Sequence, residues 1–454
     1  MIALTLRSVR WVAPGWLPAA ALLAVLAVIG PSLGSVARPL FVLGCGAAGA
    51  LAWRQSAAAH LQSCLILFAF APLLRRVVDL SAGYDPSGIM LVGPLLAVLM
   101  SAPELLRLLR PGSGIDRTVL PAVTVAGCVL YATMLSMFQG DFQNAATGSV
   151  KWFAPLIYAL ALMLRGERGL AQAAARVFQI ILPVAGLYAI YQYVALPDWD
   201  RFWMQYTTIL SIGQPEPYAV RVFGTMNSPA SFATIVSAGL LLVGFLRPGW
   251  QGLVLMLPAA LGVLLSSYRT AWLSLVAGMV FCLLFRSTRT RAGGAMGGMA
   301  GALIVAGTLT PFGEMITGRL ETLGRGTQDD SWLERMGEYT TLWDLPDSGL
   351  IGSGYTITDV GTAGAMPIDG TIIACWVTMG IVFGLICLVA LLAAAGQAIW
   401  VARRTGTREA VVLGGLAVGA LVQLPLSGIS SGELGFLFWT FVALSWLELR
   451  AHPA

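Results

Sequence analysis

The sequence predicts an all-α polytopic integral membrane protein with about fourteen transmembrane helices, and at least twelve. The first observation is composition. Of the 454 residues, 57% are apolar and only 11% are charged, whereas soluble domains have about 25% charged residues. The second is a mean hydropathy of +0.79, which comes from repeated apolar runs long enough to cross a bilayer. The 23 prolines and 52 glycines are compatible with such helices.

The apolar runs divide the chain into five parts. The predicted spans lie near residues 17–35, 39–53, 57–74, 87–104, 118–138, 152–164, 169–194, 228–246, 250–266, 270–285, 293–311, 368–400, 411–428 and 433–448. Residues 1–195 form a first set of transmembrane helices, 196–227 a long connection, and 228–311 a second set of helices. A large connection at 312–367 precedes the last helices at 368–454. The start of the chain superficially resembles a signal peptide, but the many later spans favour an uncleaved first helix.

The distribution of charge predicts the orientation. If the N-terminus is cytoplasmic, the cytoplasmic connections contain 17 of the 27 basic residues and five of the 22 acidic residues. Cytoplasmic connections of membrane proteins are enriched in Lys and Arg, so we expect both termini in the cytoplasm. The connections 196–227 and 312–367 then lie on the outer face. Since no basic run extends beyond a short connection, nucleic acid is not a predicted partner.

No metal or cofactor is predicted. The six cysteines fall inside apolar runs without metal-ligand spacing, and they are expected to be small buried side chains. Asp198-Trp199-Asp200 has the DxD pattern that holds a divalent metal in enzymes using nucleotide sugars. Its predicted place on the outer face, where nucleotide sugars are not available, disfavours that interpretation.

The large connection contains one predicted helix. Ser331 to Glu334 fit a capping box, which begins a helix. Trp332, Met336, Tyr339 and Trp343 follow at spacings that place them on one helical face. We expect an amphipathic helix at the membrane surface or over a cavity, or one that only packs the connection against the protein.

Three charged residues stand at the outer ends of spans, where an ionisable group is a candidate for function. Arg221 precedes Asn227-Ser228-Pro229 and a helix start, and Arg269 lies in a very short connection between two spans. Asp369 stands at the mouth of an apolar helix. The alternatives are an interfacial arginine for Arg221, a structural arginine for Arg269 and a helix cap for Asp369.

Two arginines and a carboxylate on one face suit one kind of chemistry. When a sugar leaves a polyprenyl pyrophosphate, negative charge grows on the bridging phosphate oxygen, and guanidinium groups can stabilise it. A carboxylate can accept the proton of the attacking hydroxyl. Arginine would then take the place of the divalent metal that many glycosyltransferases use.

Residues 185–400 resemble the superfamily of O-antigen ligases and Wzy-type polysaccharide polymerases. The similarity rests on the order of short motifs. Arg221 with Phe223-Gly224 and Asn227-Ser228-Pro229 opens one span, and Ser267 to Ala271 opens the next. A large connection with Arg335 follows, and within it Asp347 to Tyr355 is similar to a glycine-rich stretch of the family. Asp369 and Gly380-Ile381-Val382-Phe383-Gly384 complete the pattern.

The resemblance implies a GT-C-like fold in the bacterial inner membrane and an active site on its periplasmic face. It further implies an undecaprenyl-pyrophosphate-linked glycan donor and an inverting, metal-independent transfer. Arg221 and Arg269 would bind the pyrophosphate, with Arg335 as a third candidate, and Asp369 would be the base. Trp332, Tyr339 and Tyr355 are candidate glycan-binding residues.

Within this chemistry, the sequence favours a polymerase over a ligase. Ligases of the family usually carry a histidine at the end of the large connection, where this chain has Asp369. A polymerase would join lipid-linked repeat units, whereas a ligase would transfer the glycan to lipid A core or to protein. A flippase and a chain-length regulator are the expected protein partners. The alternative from a different class is a non-enzymatic flippase or transporter of the same lipid-linked glycan.

Overall fold

A computed structural model describes residues 14–109, 117–247, 249–308, 313, 349–355 and 370–451. Fifteen α-helices and five short 3₁₀ segments occupy most of these ranges, which contain no β-strand. The first eight α-helices are α1 (Leu17–Leu33), α2 (Ala37–Gln55), α3 (Ala57–Ala82), α4 (Val92–Leu99), α5 (Leu120–Phe138), α6 (Phe142–Arg165), α7 (Leu170–Ala195) and α8 (Asp198–Tyr206). The others are α9 (Pro229–Leu246), α10 (Trp250–Leu265), α11 (Arg269–Leu283), α12 (Arg289–Gly307), α13 (Thr371–Thr405), α14 (Arg408–Gln423) and α15 (Gly432–Ala451).

The helices have the length and composition of membrane spans. Nine segments of the described chain are long and apolar enough to cross a bilayer, and one of them, Leu17–Gln55, contains both α1 and α2. Two further apolar helices, Val254–Leu265 and Arg269–Leu283, are shorter. The protein is therefore an all-α multi-pass membrane protein. The count of about fourteen spans and the GT-C-like arrangement stay predictions.

Two predicted spans differ in extent from the helices that form. The run at 152–164 belongs to α6, which begins ten residues earlier at Phe142 because the Asp141 side chain caps the helix and accepts a hydrogen bond from the Asn144 backbone N–H. The run at 87–104 is divided among a 3₁₀ turn at Ile89–Leu91, the short helix α4 and a second 3₁₀ segment at Ala102–Leu109.

Three helices lie mostly inside the bundle. In α3, α9 and α15, about three-quarters or more of the most apolar segment is buried by the rest of the protein. In α1, by contrast, Val25 and Val28 are among the exposed large apolar side chains, as expected for a helix that faces lipid. The main pairs of packed helices are α7 with α10, α11 with α14, α6 with α15, and α13 with both α5 and α14.

A sharp break divides α13 at Gly380. This residue has φ 74° and ψ 174°, a conformation that only glycine adopts readily. The chain reverses there, so that the sulfur atoms of Cys375 and Cys387 come within 3.8 Å of each other. Residues 349–354 close the break: the backbone N–H of Ser353 donates to the carbonyl of Val377 at 2.8 Å. The glycine-rich stretch thus satisfies backbone groups that the helix break leaves open.

Contacts at the helix ends join two connections that are predicted to lie on the cytoplasmic side, the one after α6 and the one before α14. At the predicted cytoplasmic end, Arg165 pairs with Glu167 at 2.7 Å. Also at that end, Gln172 donates to Glu409 at 2.8 Å. At the opposite end, which we call the predicted outer face, lie Arg221, Arg269 and the long connection after α7.

Candidate anion-binding site at the predicted outer face

The segment that carries Arg221 is held by backbone hydrogen bonds on two sides. The Arg221 N–H donates to the carbonyl of Ile212 at 2.8 Å, next to an isolated antiparallel bridge between Gly213 and Val220. The Val222 N–H donates to the carbonyl of Leu265, at the end of α10, at 3.4 Å. The connection after α7 is therefore folded back against the turn between α10 and α11.

This arrangement brings the Arg221 side chain to the turn that precedes Arg269. The Arg221 Nη2 donates to the carbonyl of Ser267 at 3.3 Å, and Arg269 is the first residue of α11. Because Ser267 and Arg269 are only two residues apart, the Arg221 guanidinium lies within roughly 11 Å of the Arg269 Cα. Both side chains are half-buried.

Backbone strain is concentrated around this site. Among the described residues, the non-glycine residues with positive φ are Leu196, Tyr218 and Ser267, at 43°, 64° and 53°. All three belong to the two connections that carry Arg221 and Arg269. Such conformations cost about 1–3 kcal/mol each and cluster at functional sites. Packing around these connections therefore holds the three residues in backbone conformations that are unfavourable for non-glycine residues.

The Asn227-Ser228-Pro229 motif starts α9 beside the arginines. The Ser228 hydroxyl accepts a hydrogen bond from the Ser231 N–H at 3.1 Å, and Pro229 stands at the first helical position. The Ser231 hydroxyl in turn donates to Glu433, near the start of α15, at 2.6 Å. Glu433 thus contacts the first turn of α9. The sequence analysis did not select this carboxylate, although it follows a predicted outer connection just as Asp369 does.

A buried ion pair that the sequence did not predict supports the Arg221 segment. The Arg76 Nε lies 2.8 Å from the Asp200 Oδ1, and both side chains are fully buried. The same guanidinium donates to the carbonyl of Gly224 at 2.6 Å and to the carbonyl of Met226. Its Cζ also lies 4.7 Å from the centre of the Phe223 ring. Arg76 therefore connects α3 with α8 and with the residues that follow Arg221.

The Asp200 carboxylate has two further donors. Gln192 Nε2 donates to its Oδ2 at 2.6 Å and the Tyr188 hydroxyl donates to the same oxygen at 2.8 Å. Burial raises the pKa of Asp200, and the Arg76 charge and the two hydrogen bonds act in the opposite direction. The second carboxylate of the DxD triplet is therefore already paired with Arg76. This residue gives no support to the interpretation of the triplet as a metal site. Asp198, the first, is exposed and pairs with Arg201 at 3.3 Å.

Gly224 fits this environment only as glycine. It has φ 54°, and a Cβ atom added there would come within 2.4 Å of the Phe232 ring. Its N–H and that of Phe223 both donate to Gln192 Oε1, at 2.8 Å and 3.0 Å. The Phe223-Gly224 pair of the motif is thus explained by close packing against α9 and α7.

A second ion cluster lies on the same face. Asp79 is fully buried and pairs with Arg38 at 2.9 Å and with Arg75 at 3.3 Å. Arg38 is the second residue of α2, whereas Arg75 and Asp79 are one turn apart on α3. The contacts of these side chains do not include the segment from Arg221 to Asn227.

An apolar cavity adjoins the site between α9, α11, α14 and α15. Its volume is about 60 Å³, and it is partly open to the surface. A short chain of polar groups crosses it: the Thr234 hydroxyl donates to Gln423 Oε1, and Gln423 Nε2 donates to the Ser274 hydroxyl, both at 2.9 Å. The remaining lining is dominated by apolar side chains of α14 and α15.

The other sequence-predicted residues fall into two groups. Asp369, Arg335, Trp332 and Tyr339, together with the predicted amphipathic helix, lie outside the described residues. Tyr355 is described and only 3% exposed, and its ring packs against Gly148 of α6. A ring so deeply buried has no free face for a sugar, so Tyr355 is not part of the glycan-binding surface proposed below.

The part of the chain that the structure describes contains no cluster of three or more His, Cys, Asp or Glu side chains that could hold a metal ion. A scan against models of protein families and a search of curated proteins both give no match to this chain.

Proposed function

We propose that this protein is a glycosyltransferase that joins undecaprenyl-pyrophosphate-linked oligosaccharide repeat units into a polysaccharide at the periplasmic face of the bacterial inner membrane. The observation that carries the proposal is the contact between Arg221 and the turn before Arg269. This hydrogen bond supports the proposal because it joins the Arg221 side chain to the turn from which Arg269 starts its helix.

The proposed reaction needs stabilisation of a leaving diphosphate. The bond between the anomeric carbon of the donor glycan and its phosphate oxygen breaks, and undecaprenyl pyrophosphate leaves with the electron pair. A hydroxyl of the acceptor glycan attacks the opposite side of the anomeric carbon, and its proton passes to a base. Arg221 and Arg269 would neutralise the growing phosphate charge through hydrogen bonds from their planar guanidinium groups. Arg335 would be a third phosphate ligand.

Two carboxylates are candidates for the base. Asp369 is the one expected from the resemblance to the ligase and polymerase superfamily. Glu433 is the one that the contacts favour, because Ser231 connects it to the start of α9 directly after Asn227. A base has to come within hydrogen-bond distance of the acceptor hydroxyl. Either residue would meet this condition only when the acceptor is bound.

The surroundings of the arginines suit a lipid-linked glycan. The apolar lining of the cavity beside α9 would contact part of the polyprenyl chain where the cavity opens to the surface. Tyr206 and Tyr218, about half exposed in the connection that carries Arg221, offer ring faces for sugars in addition to Trp332 and Tyr339 of the large connection. The donor would thus have its chain against the bundle and its glycan outside.

Purified protein in lipid nanodiscs tests the proposal. With a synthetic undecaprenyl-pyrophosphate oligosaccharide as both donor and acceptor, we expect elongated lipid-linked glycan and one released undecaprenyl pyrophosphate for each new linkage. Movement of the donor between leaflets without release of undecaprenyl pyrophosphate would instead identify a flippase, and it would overturn the proposal.

A ligase that transfers the glycan to lipid A core or to protein is the alternative within the same chemistry. Cells that lack the gene separate the two. Loss of a polymerase leaves a single repeat on the surface acceptor, whereas loss of a ligase leaves long chains on the carrier lipid. We expect the first pattern.

A further inference from the structure

We propose that Arg76, Asp200 and Gln192 form a positioning clamp, a buried polar cluster that fixes the segment after Arg221 and thereby sets the place of the Arg221 guanidinium. The part of this inference that concerns transfer rests on the proposed function. The part that concerns the segment itself does not, and the two are tested by different measurements.

The clamp holds the segment mainly through hydrogen bonds to its backbone. Arg76 donates to the carbonyls of Gly224 and Met226, and Gln192 accepts from the N–H groups of Phe223 and Gly224. Four backbone groups in four consecutive residues are therefore paired with two side chains from α3 and α7. This segment has no helix or strand to supply those bonds, and buried backbone groups without a partner are strongly disfavoured.

Asp200 joins the two halves of the clamp. Its Oδ1 faces Arg76 and its Oδ2 accepts from Gln192, so the carboxylate fixes both side chains that grip the backbone. All three side chains are fully buried, so bulk water does not reach them. The ion pair and the hydrogen bonds form one connected network, in which loss of one member weakens the grip of the others.

The clamp acts on Arg221 through the backbone. Phe223, the first residue held by Gln192, is only two residues after Arg221, and Val222 between them is anchored to Leu265. A shift of the clamped segment therefore displaces the base of the Arg221 side chain. In enzymes, misplacement of a catalytic group by about 1 Å lowers the rate by about 100-fold.

The variant Gln192→Met tests the segment first, because methionine has a similar volume and removes the three hydrogen bonds of the amide. We expect the backbone N–H groups of Phe223 and Gly224 to exchange with deuterium at least about tenfold faster in the full-length protein in nanodiscs. The matched control is Asp79→Asn, which weakens the other buried ion cluster of the same face without touching this segment. Unchanged exchange in Gln192→Met, or equally fast exchange in Asp79→Asn, would overturn the clamp.

Transfer kinetics then test positioning against general destabilisation. In Gln192→Met we expect kcat to fall by about 10- to 100-fold while the donor KM changes by less than about threefold, because the chain and glycan of the donor still bind. In an Arg221→Lys background, Gln192→Met should lower kcat by less than about threefold further, since the side chain that it positions is already altered. If the decreases in kcat caused by the two substitutions multiply in the double variant, Gln192 does not act through Arg221.

A second variant keeps the test informative if Gln192→Met does not fold. Asp200→Asn retains the size of the side chain and one oxygen that can accept from Arg76, and it leaves the bonds of Arg76 and Gln192 to the backbone in place. It removes the negative charge and the acceptor oxygen that Gln192 and Tyr188 share. We expect the same directions in exchange and in kcat, each smaller than in Gln192→Met. If exchange is faster in the variant but the wild-type protein shows no transfer, the clamp is supported and the proposed function is rejected. Failure of the clamp and failure of the proposed function are therefore distinguishable. Wild-type exchange in a folded Asp200→Asn protein would contradict the clamp.

Discussion

Replacement of Arg221 by alanine should separate catalysis from folding. The side chain is half-buried and its guanidinium donates to the Ser267 carbonyl at 3.3 Å. A hydrogen bond from a charged group contributes about 1.5–3 kcal/mol to stability, against about 5–15 kcal/mol for a typical domain. Arg221→Ala should therefore remain folded and inserted in the membrane.

The expected loss of transfer is larger than the loss of stability can explain. Removal of one preorganised donor to a developing negative charge lowers kcat by about 100- to 1,000-fold, which corresponds to about 2.7–4 kcal/mol. Because nearly all of the variant protein stays folded, a decrease of this size reports loss of charge stabilisation in the transition state.

The assay measures the initial rate of undecaprenyl pyrophosphate release by nanodisc-embedded protein, with thermal unfolding measured on the same samples. Arg201→Ala is the matched control, because Arg201 lies on α8 at the same face and is 42% exposed in a surface ion pair with Asp198. Its removal changes the net charge equally and should leave the rate within about twofold. A rate in Arg221→Ala above half of the wild-type rate, or an equal loss in Arg201→Ala, would refute the assignment of Arg221 to the pyrophosphate.

Further substitutions test the neighbouring residues. Arg269→Lys should lower kcat by at least about tenfold with unchanged membrane insertion, since a lysine lacks the planar fork that binds phosphate oxygens in pairs; wild-type kinetics would contradict this. The base is identified by comparing Glu433→Gln with Asp369→Asn: the variant of the true base loses kcat while keeping donor affinity, and full activity in both would exclude both. Gly224→Ala should lower the thermal unfolding temperature through its contact with Phe232, and an unchanged temperature would show that the helices shift to accommodate the methyl group.

The class of fold could be predicted from the sequence because the bilayer, and not tertiary contacts, determines the composition and the length of the apolar runs. The prediction of an all-α multi-pass protein is confirmed. The break at Gly380 was not predicted, since the apolar run of α13 continues on both sides of it and hydropathy does not record the direction of the chain. In the sequence, Gly380 stands out only as the first residue of the Gly380-Ile381-Val382-Phe383-Gly384 motif.

The candidate site could be selected from the sequence only in part, for a similar reason. Arg221 and Arg269 stood out because each lies at the predicted outer end of a span, but the contact of Arg221 with the turn before Arg269 joins residues 46 positions apart. The same rule would have selected Arg75 and Arg76, two arginines at the predicted outer end of α3, but it could not supply their partners. Arg76 is 148 residues from Gly224 in the chain, and only the folded bundle brings them together.

The presence of a charged pair beneath the Arg221 segment is difficult to explain by stability alone. Burial of two charges costs several kcal/mol per ion, and well-packed apolar residues often stabilise a protein as much as a buried ion pair does. An apolar substitute, however, could not donate to the carbonyls of Gly224 and Met226, which have no helical partners. Arginine supplies several donors in a fixed plane, and Asp200 keeps that plane oriented. The pair is thus better explained by its hydrogen bonds, which hold an irregular backbone segment in one conformation. That segment lies next to a proposed site in which the rate depends on the exact position of Arg221.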